Sequence, residues 1–147
     1  MNLAPVVLAK NTNSVVVAFI KVAVGVVINP AGNVLIAKRL SHQHCGGMWE
    51  FPGGKIEANE STEAALAREL LEEVDITVQQ AKPLCQVEHE YPEKRVLLDV
   101  WQVTQYTGIA QGSEGQEIRW IDLSELPNYQ FPPANTGIVE VVGQLLP

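Results

Sequence analysis

The sequence predicts an α+β domain in which helices pack on a mixed sheet, and three observations predict it. Runs rich in β-branched and apolar residues occupy Val15 to Ile28, Leu84 to Tyr91 and Arg95 to Gln105, as strands prefer. Leu66, Ala67, Leu70 and Val74 recur three and four residues apart, the period of one helix face turned to a core. A second helical stretch, from about Gly137 to Leu146, makes the order strand-rich, helix, strand-rich, helix. At 147 residues the chain is expected to form one domain, 1–147, that buries an adequate core without staples.

Taken in order, residues 1 to 13 form an N-terminal extension, expected to be an appended strand or a tail packed on the domain. Val15 to Ile28 then reads as one or two buried strands. In Asn29-Pro30-Ala31-Gly32-Asn33 proline presets one dihedral and glycine or asparagine accepts a positive one, so the chain reverses. Val34 to Lys38 is expected to return as the partner strand of a hairpin. Leu40 to Trp49 is a loop holding His42, His44 and Cys45; no further ligand stands at a zinc spacing, so it is expected to lie near a substrate instead. Phe51 is by default a core residue.

Ser61 is placed to cap the central helix, with Glu63 in its first turn, where the helix dipole favours negative charge. Pro83 is expected to start a new segment. The strands Leu84 to Tyr91 and Arg95 to Gln105 are joined through Pro92-Glu93-Lys94, Gly108 to Gly115 is a loop carrying Glu114, and Glu117 to Ile121 is a short strand before a turn over Asp122 to Pro127.

Charge narrows the function. Ten basic against seventeen acidic residues leave a net charge of −7, which argues against a nonspecific nucleic-acid or membrane surface. An anionic substrate would need a metal to bridge it to such a chain. Two cysteines suit a reducing compartment. The N-terminus lacks the pattern of a signal peptide, and the apolar run Val15 to Ile28 is fourteen residues long and broken by Lys21, too short for a membrane span. A soluble, cytoplasmic protein is expected, its oligomeric state left open.

The central helix carries the chemistry. At 3.6 residues per turn Glu73 lies about 40° round the axis from Glu69 and Glu72 about 60° the other way, so the three share one sector. Like charges at that spacing destabilise a helix unless something cationic offsets them. Arg68 offsets part, and Mg²⁺ or Mn²⁺, which prefer carboxylate, carbonyl and water, suits the rest.

From Gly54 the chain runs five residues to Glu60, seven to Arg68-Glu69, then Leu70, one residue, Glu72-Glu73, one residue, Asp75 and Ile76. This resembles the Nudix box, G-x5-E-x7-R-E-U-x-E-E-x-G-U with U aliphatic, and one position departs: Asp75 stands where the family has glycine. That glycine ends the helix left-handed, a conformation that Asp tolerates better than most residues. The resemblance implies the Nudix α/β/α sandwich. It extends over about residues 20 to 146 to the MutT branch, which clears oxidised guanine nucleotides, through AKR at 37–39, WEFPGGKIE at 49–57, EHEYPEKR at 88–95, SEGQE at 113–117 and FPPAN at 131–135.

The resemblance implies roles for particular residues. The Gly53 carbonyl and the carboxylates of Glu69, Glu72, Glu73 and Glu114 would hold Mg²⁺ or Mn²⁺. Arg39 would neutralise phosphate charge, Phe51 would line the nucleotide pocket, and Asn135 would read the purine edge. Lys94 falls where the branch has an arginine that helps hold the base; lysine has no planar fork, so either the adjacent Arg95 substitutes or that contact weakens. The implied reaction hydrolyses a nucleoside triphosphate, such as 8-oxo-dGTP, to monophosphate and pyrophosphate, with Glu69 as base or water-orienting group and Arg68 orienting the carboxylates. ADP-ribose-like derivatives, pyrimidine triphosphates and a non-catalytic nucleotide-binding module are the alternatives.

Overall fold

The computed structural model describes residues 7–10 and 16–145. Of the expected N-terminal extension only Val7–Lys10 falls within these residues, as strand β1. Val15 and Leu146, the outer ends of two expected elements, fall outside them. Among the described residues no helix is long and apolar enough to cross a membrane.

The long apolar run forms a single strand, β2 (Val16–Val27), at the centre of a five-stranded mixed sheet. One edge of β2 pairs parallel with β7 (Lys94–Thr107), and the other pairs antiparallel with β1 and then with β5 (Gly53–Lys55). β6 (Thr77–Glu90) lies antiparallel outside β7 and closes that side of the sheet. Both faces of β2 are covered. Val24 and Val26 pack with Leu98, Val100 and the C-terminal helix α2 (Thr136–Gly143), whereas Ala23 and Val27 pack beneath the central helix α1 (Thr62–Val74). A strand buried on both faces reads as a continuous apolar run. Gly25 lets α1 settle on this sheet, since a Cβ there would lie 3.0 Å from side-chain carbons of both Leu66 and Leu70.

Three expectations need correction. The turn at residues 29–33 forms, with the Asn29 side chain accepting the N–H groups of Ala31 and Asn33, but no hairpin follows it. β3 (Asn33–Lys38) shares only the Ile28–Val34 bridge with the preceding strand. It joins a second, three-stranded sheet between β4 (Trp49–Glu50) and β8 (Ile118–Asp122). β5 takes the edge of β2 opposite β7 over Val22–Val24, so a hairpin ladder with β3 could not continue along it. Pro83 does not start a segment: β6 begins at Thr77 and carries Pro83 through a register shift. β6 is an edge strand, where a missing N–H leaves no neighbour unpaired. On α1 the buried face includes Ala65, with Leu66, Leu70 and Val74, while Ala67 is only partly buried.

The ends of α1 follow their caps. The Ser61 hydroxyl accepts the Ala64 N–H at 3.1 Å. Asp75 stands at φ 58°, ψ 34°, left-handed, and its backbone N–H turns to the Leu70 and Leu71 carbonyls. The departure from the box glycine therefore keeps the glycine conformation. Asp75→Gly is expected to be neutral or slightly stabilising, because glycine relieves a steric cost of about 1 kcal/mol against its own chain entropy. A clear fall in Tm for that variant would give weight to the one side-chain contact Asp75 has among the described residues, the Gln111 Nε2 donor 3.5 Å from its Oδ2.

The last strand runs into a 3₁₀ helix, Leu123–Asn128, capped by Asp122 through the Ser124 N–H. A short 3₁₀ turn, Pro133–Asn135, leads into α2. With α1 on one face of the large sheet and α2 on the other, the expected α+β layering is present, and the second sheet brings the 114–116 loop beside α1.

Candidate functional site

Arg68 is the hub of the box. Its guanidinium makes a fork with Glu60, Nε to Oε2 at 2.8 Å and Nη2 to Oε1 at 3.0 Å. It also donates to Glu69 Oε1 at 2.7 Å and to the Lys55 carbonyl at 3.1 Å. Glu72 lies at 3.6 Å with its carboxylate mostly in solvent. One side chain thus ties α1, the loop before it and the end of β5 together. Glu60 is held below the usual carboxylate range by the hydrogen bond from Arg68. Glu69 is pushed up by burial, and Arg68 pulls it partly back.

Glycine at position 54 is required by this arrangement. A Cβ on Gly54 would fall 2.3 Å from Glu69 Cδ, far inside contact distance, so only glycine lets the carboxylate lie against the strand. Gly53, next to it, donates its N–H to Glu73 Oε2 at 3.3 Å.

The three helix carboxylates share a helical sector but splay at their tips. Glu69 turns to Arg68, Glu72 turns outward, and Glu73 turns inward to a small cavity that it lines with Glu50, Glu114 and Gln116. Gln116 ties the loop to the helix, donating to the Glu73 carbonyl at 2.8 Å and accepting the Glu114 N–H at 2.9 Å. Burial, followed by the charges of Glu50 and Glu69, pushes the Glu73 carboxyl up to about 8. Burial also raises Glu50, against the pull of Arg39.

The carboxylates around this cavity, whose lining also includes Lys38, are hard oxygen donors of the kind a divalent cation takes. Glu69, Glu73 and Glu114, with Glu72 at the rim and the Gly53 carbonyl, would hold it. Among the described residues no three acids already enclose a point as a finished ligand set.

Glu73 gives the chain a pH signature. Its folded-state pKa, about 8, lies above the ordinary 4.5, so the folded chain holds this proton more tightly than the unfolded chain does. The stability that results is complete at low pH and is lost as pH rises through about 8. Without divalent cations, Tm is expected to fall between about pH 5 and 9, and Glu73→Gln to flatten that fall. A wild-type Tm that rises across the window would contradict the assignment.

On the other side of Glu50 lies a pocket of about 180 Å³ lined by Arg39, Phe51, Val96, Leu98, Ala134 and Asn135. Phe51 is both core and pocket wall, 4% exposed and stacked on Phe131 at 5.2 Å. The pocket is smaller than the roughly 300–1,000 Å³ of sites that enclose a whole drug-sized ligand, a size that suits no more than a base-sized group. A cleft of about 600 Å³ beside it, lined by His44, Lys55, Tyr91 and Lys94, leaves room for the remainder. Asn135 occupies the N-cap position of α2, yet its side chain makes no cap hydrogen bond. The amide is thus not committed to capping.

Two anticipated groups part company here. Lys94 reaches the cleft, with Nζ 5.2 Å from the Tyr91 ring centroid. Arg95 does not: it alternates to the opposite face of β7, where Glu88 at 3.2 Å and Glu90 at 3.1 Å hold its guanidinium. Of the two alternatives, substitution by Arg95 is set aside by strand alternation, since neighbouring residues point to opposite faces. Sequence reasoning also missed Glu50 and Gln116. Glu50 stands inside the WEFPGG stretch, where a charged residue between two buried aromatics, Trp49 and Phe51, was the available signal.

Comparison with known proteins bears on the whole arrangement. The NUDIX domain pattern matches residues 23–141. The chain is 37% identical over 126 residues to the 8-oxo-dGTP diphosphatase of Escherichia coli K12, spanning 86% of this chain and 98% of that protein. It is 32% identical over 117 residues to the CTP pyrophosphohydrolase of the same organism, spanning 80% and 87%. A solved MutT structure from work on Aliivibrio salmonicida and Vibrio cholerae superposes with a TM-score of 0.76 at 38% identity, covering 86% of this chain and 99% of that one.

Proposed function

This chain belongs to the Nudix hydrolase family, and from that membership we propose that it hydrolyses a nucleoside triphosphate to the monophosphate and pyrophosphate, with oxidised purine nucleotides such as 8-oxo-dGTP as substrates. The observation that carries the proposal is the pairing of a base-sized, aromatic-walled pocket, with an uncommitted Asn135 amide in its lining, and an acid cavity that shares the Glu50 wall with it. Nudix hydrolases generally use divalent metal ions, and we assign Mg²⁺ or Mn²⁺ here because the donors are carboxylates and a carbonyl. Such an ion supplies charge neutralisation for the polyphosphate and makes a water more acidic.

The chain's own residues do the rest. Phe51 and the apolar wall take the base, and Arg39 and the Lys55 and Lys94 ammonium groups face the anionic part. Water attacks the β-phosphorus, Glu69 accepts its proton, and the bond to the bridging oxygen breaks to release the monophosphate. Arg68 keeps Glu69 in place throughout. Cys45 and Cys85 are free thiols, in keeping with a reducing cytoplasm.

Asn135 decides the substrate. A carboxamide offers a donor and an acceptor, and oxidation at C8 turns N7 of guanine from acceptor to donor. A site built for that donor leaves a buried polar group unpaired when dGTP enters. Asn135→Ala is expected to reduce the preference for 8-oxo-dGTP over dGTP by ~10-fold or more at unchanged Tm. Pyrophosphate release with each nucleotide measures this; lost stability with unchanged preference would return Asn135 to a capping role. A second reading, a pyrimidine triphosphate as substrate, is favoured by Lys94, which holds a base less strictly than a planar arginine fork. Faster turnover of CTP than of 8-oxo-dGTP in the same assay would establish it.

A further inference from the structure

We propose that Glu50 is a positioning residue that couples occupancy of the nucleotide pocket to cation affinity in the acid cavity. The inference rests on the nucleotide reading above. Among the described residues Glu50 is the only one that lines both spaces. Its partner Arg39 lies on the pocket side and donates Nη1 to Glu50 Oε2. Glu73 and Glu114 lie on the other side. The pairing of Ala37 with Glu50 and of Lys38 with Trp49 fixes the backbone of this wall.

Arg39 is partly engaged. Its Nε donates to the His44 carbonyl at 2.6 Å and one Nη1 N–H goes to Glu50, so of five guanidinium donors several remain for a ligand. A nucleotide phosphate that draws on Arg39 shares the positive charge that neutralised Glu50. The carboxylate charge thereby uncovered faces Glu73 and Glu114 and deepens the negative field that attracts a divalent cation. By linkage the cation then tightens nucleotide binding by the same factor. Glu50 need touch neither the reacting phosphorus nor the attacking water to do this.

The test measures binding, not turnover. Mn²⁺ affinity of the full chain is titrated by EPR with and without 8-oxo-dGMP, which fills the pocket without a pyrophosphate to chelate the ion. Wild type is expected to bind Mn²⁺ ~5-fold or more tightly with the monophosphate present, the lower end of ordinary coupling. Glu50→Gln is expected to bind the monophosphate yet hold Mn²⁺ equally in both states. Arg39→Gln, which severs the pair from the other side, is expected to bind Mn²⁺ more tightly than wild type when no nucleotide is present. It decides the matter if Glu50→Gln does not fold. Full coupling retained in Glu50→Gln, or unchanged nucleotide-free affinity in Arg39→Gln, overturns the proposal. Monophosphate binding to wild type without coupling overturns it alone, whereas no monophosphate binding overturns the nucleotide reading as well.

Discussion

Glu69→Gln is expected to lower kcat by ~10²-fold or more while the fold and the nucleotide KM stay near wild type. The Glu69 carboxylate is tightly placed. Arg68 holds Oε1 at 2.7 Å, and the Cβ-free backbone of Gly54 lies against the carboxyl carbon. Between these constraints the second oxygen is left to meet a water. Burial raises the proton affinity of the group, which moves it towards the range where a general base works at neutral pH. Glutamine keeps the shape and can still accept the Arg68 hydrogen bond, but it cannot take a proton. Steady-state kinetics with Tm as the folding control measures the effect. Turnover within a few-fold of wild type would move the base role to Glu114 or Glu73.

What the sequence made legible, and what it hid, follows from how local each feature is. The cap at Ser61, the left-handed end at Asp75 and the buried positions Leu66, Leu70 and Val74 depend on neighbours within one helix, and all three hold in the structure. The hairpin expected after Asn33 fails because strand pairing is a competition: β1, β5 and β7 take the edges of β2, and nothing in residues 29–38 reports that. Pro83 misled for a related reason, since proline ends a strand in the middle of a sheet but not at its edge. Strand parity would have placed Lys94 with Val96 and Leu98 and set Arg95 on the opposite face, so the Arg95 alternative could have been set aside from the sequence. Glu50 was harder. Its importance comes from facing Glu73, which is 23 residues away in sequence, and Glu114, on the loop between β7 and β8.

Arg68→Lys is expected to weaken Mn²⁺ binding or lower kcat by ~10–100-fold, the usual cost of losing a group that orients metal-binding side chains, with the nucleotide KM little changed. The charge survives this substitution and the geometry does not. Arg68 makes a two-bond fork with Glu60 while a third nitrogen–oxygen contact holds Glu69 and a fourth reaches the Lys55 carbonyl. An ammonium is a point charge with no planar fork, so it can satisfy Glu60 or Glu69 but cannot hold both in register with the β5 carbonyl. Glu69 would then swing, and the water it orients would lose its position. Because Arg68 lines neither the base-sized pocket nor the adjoining cleft, substrate binding should be spared, and the loss should fall on kcat and on the cation. An ordinary helix-surface ion pair predicts something different: a stability change below about 1 kcal/mol and no kinetic effect. Mn²⁺ titration and steady-state kinetics on the same preparation separate the two, and values within about twofold of wild type for both would reduce Arg68 to that surface pair.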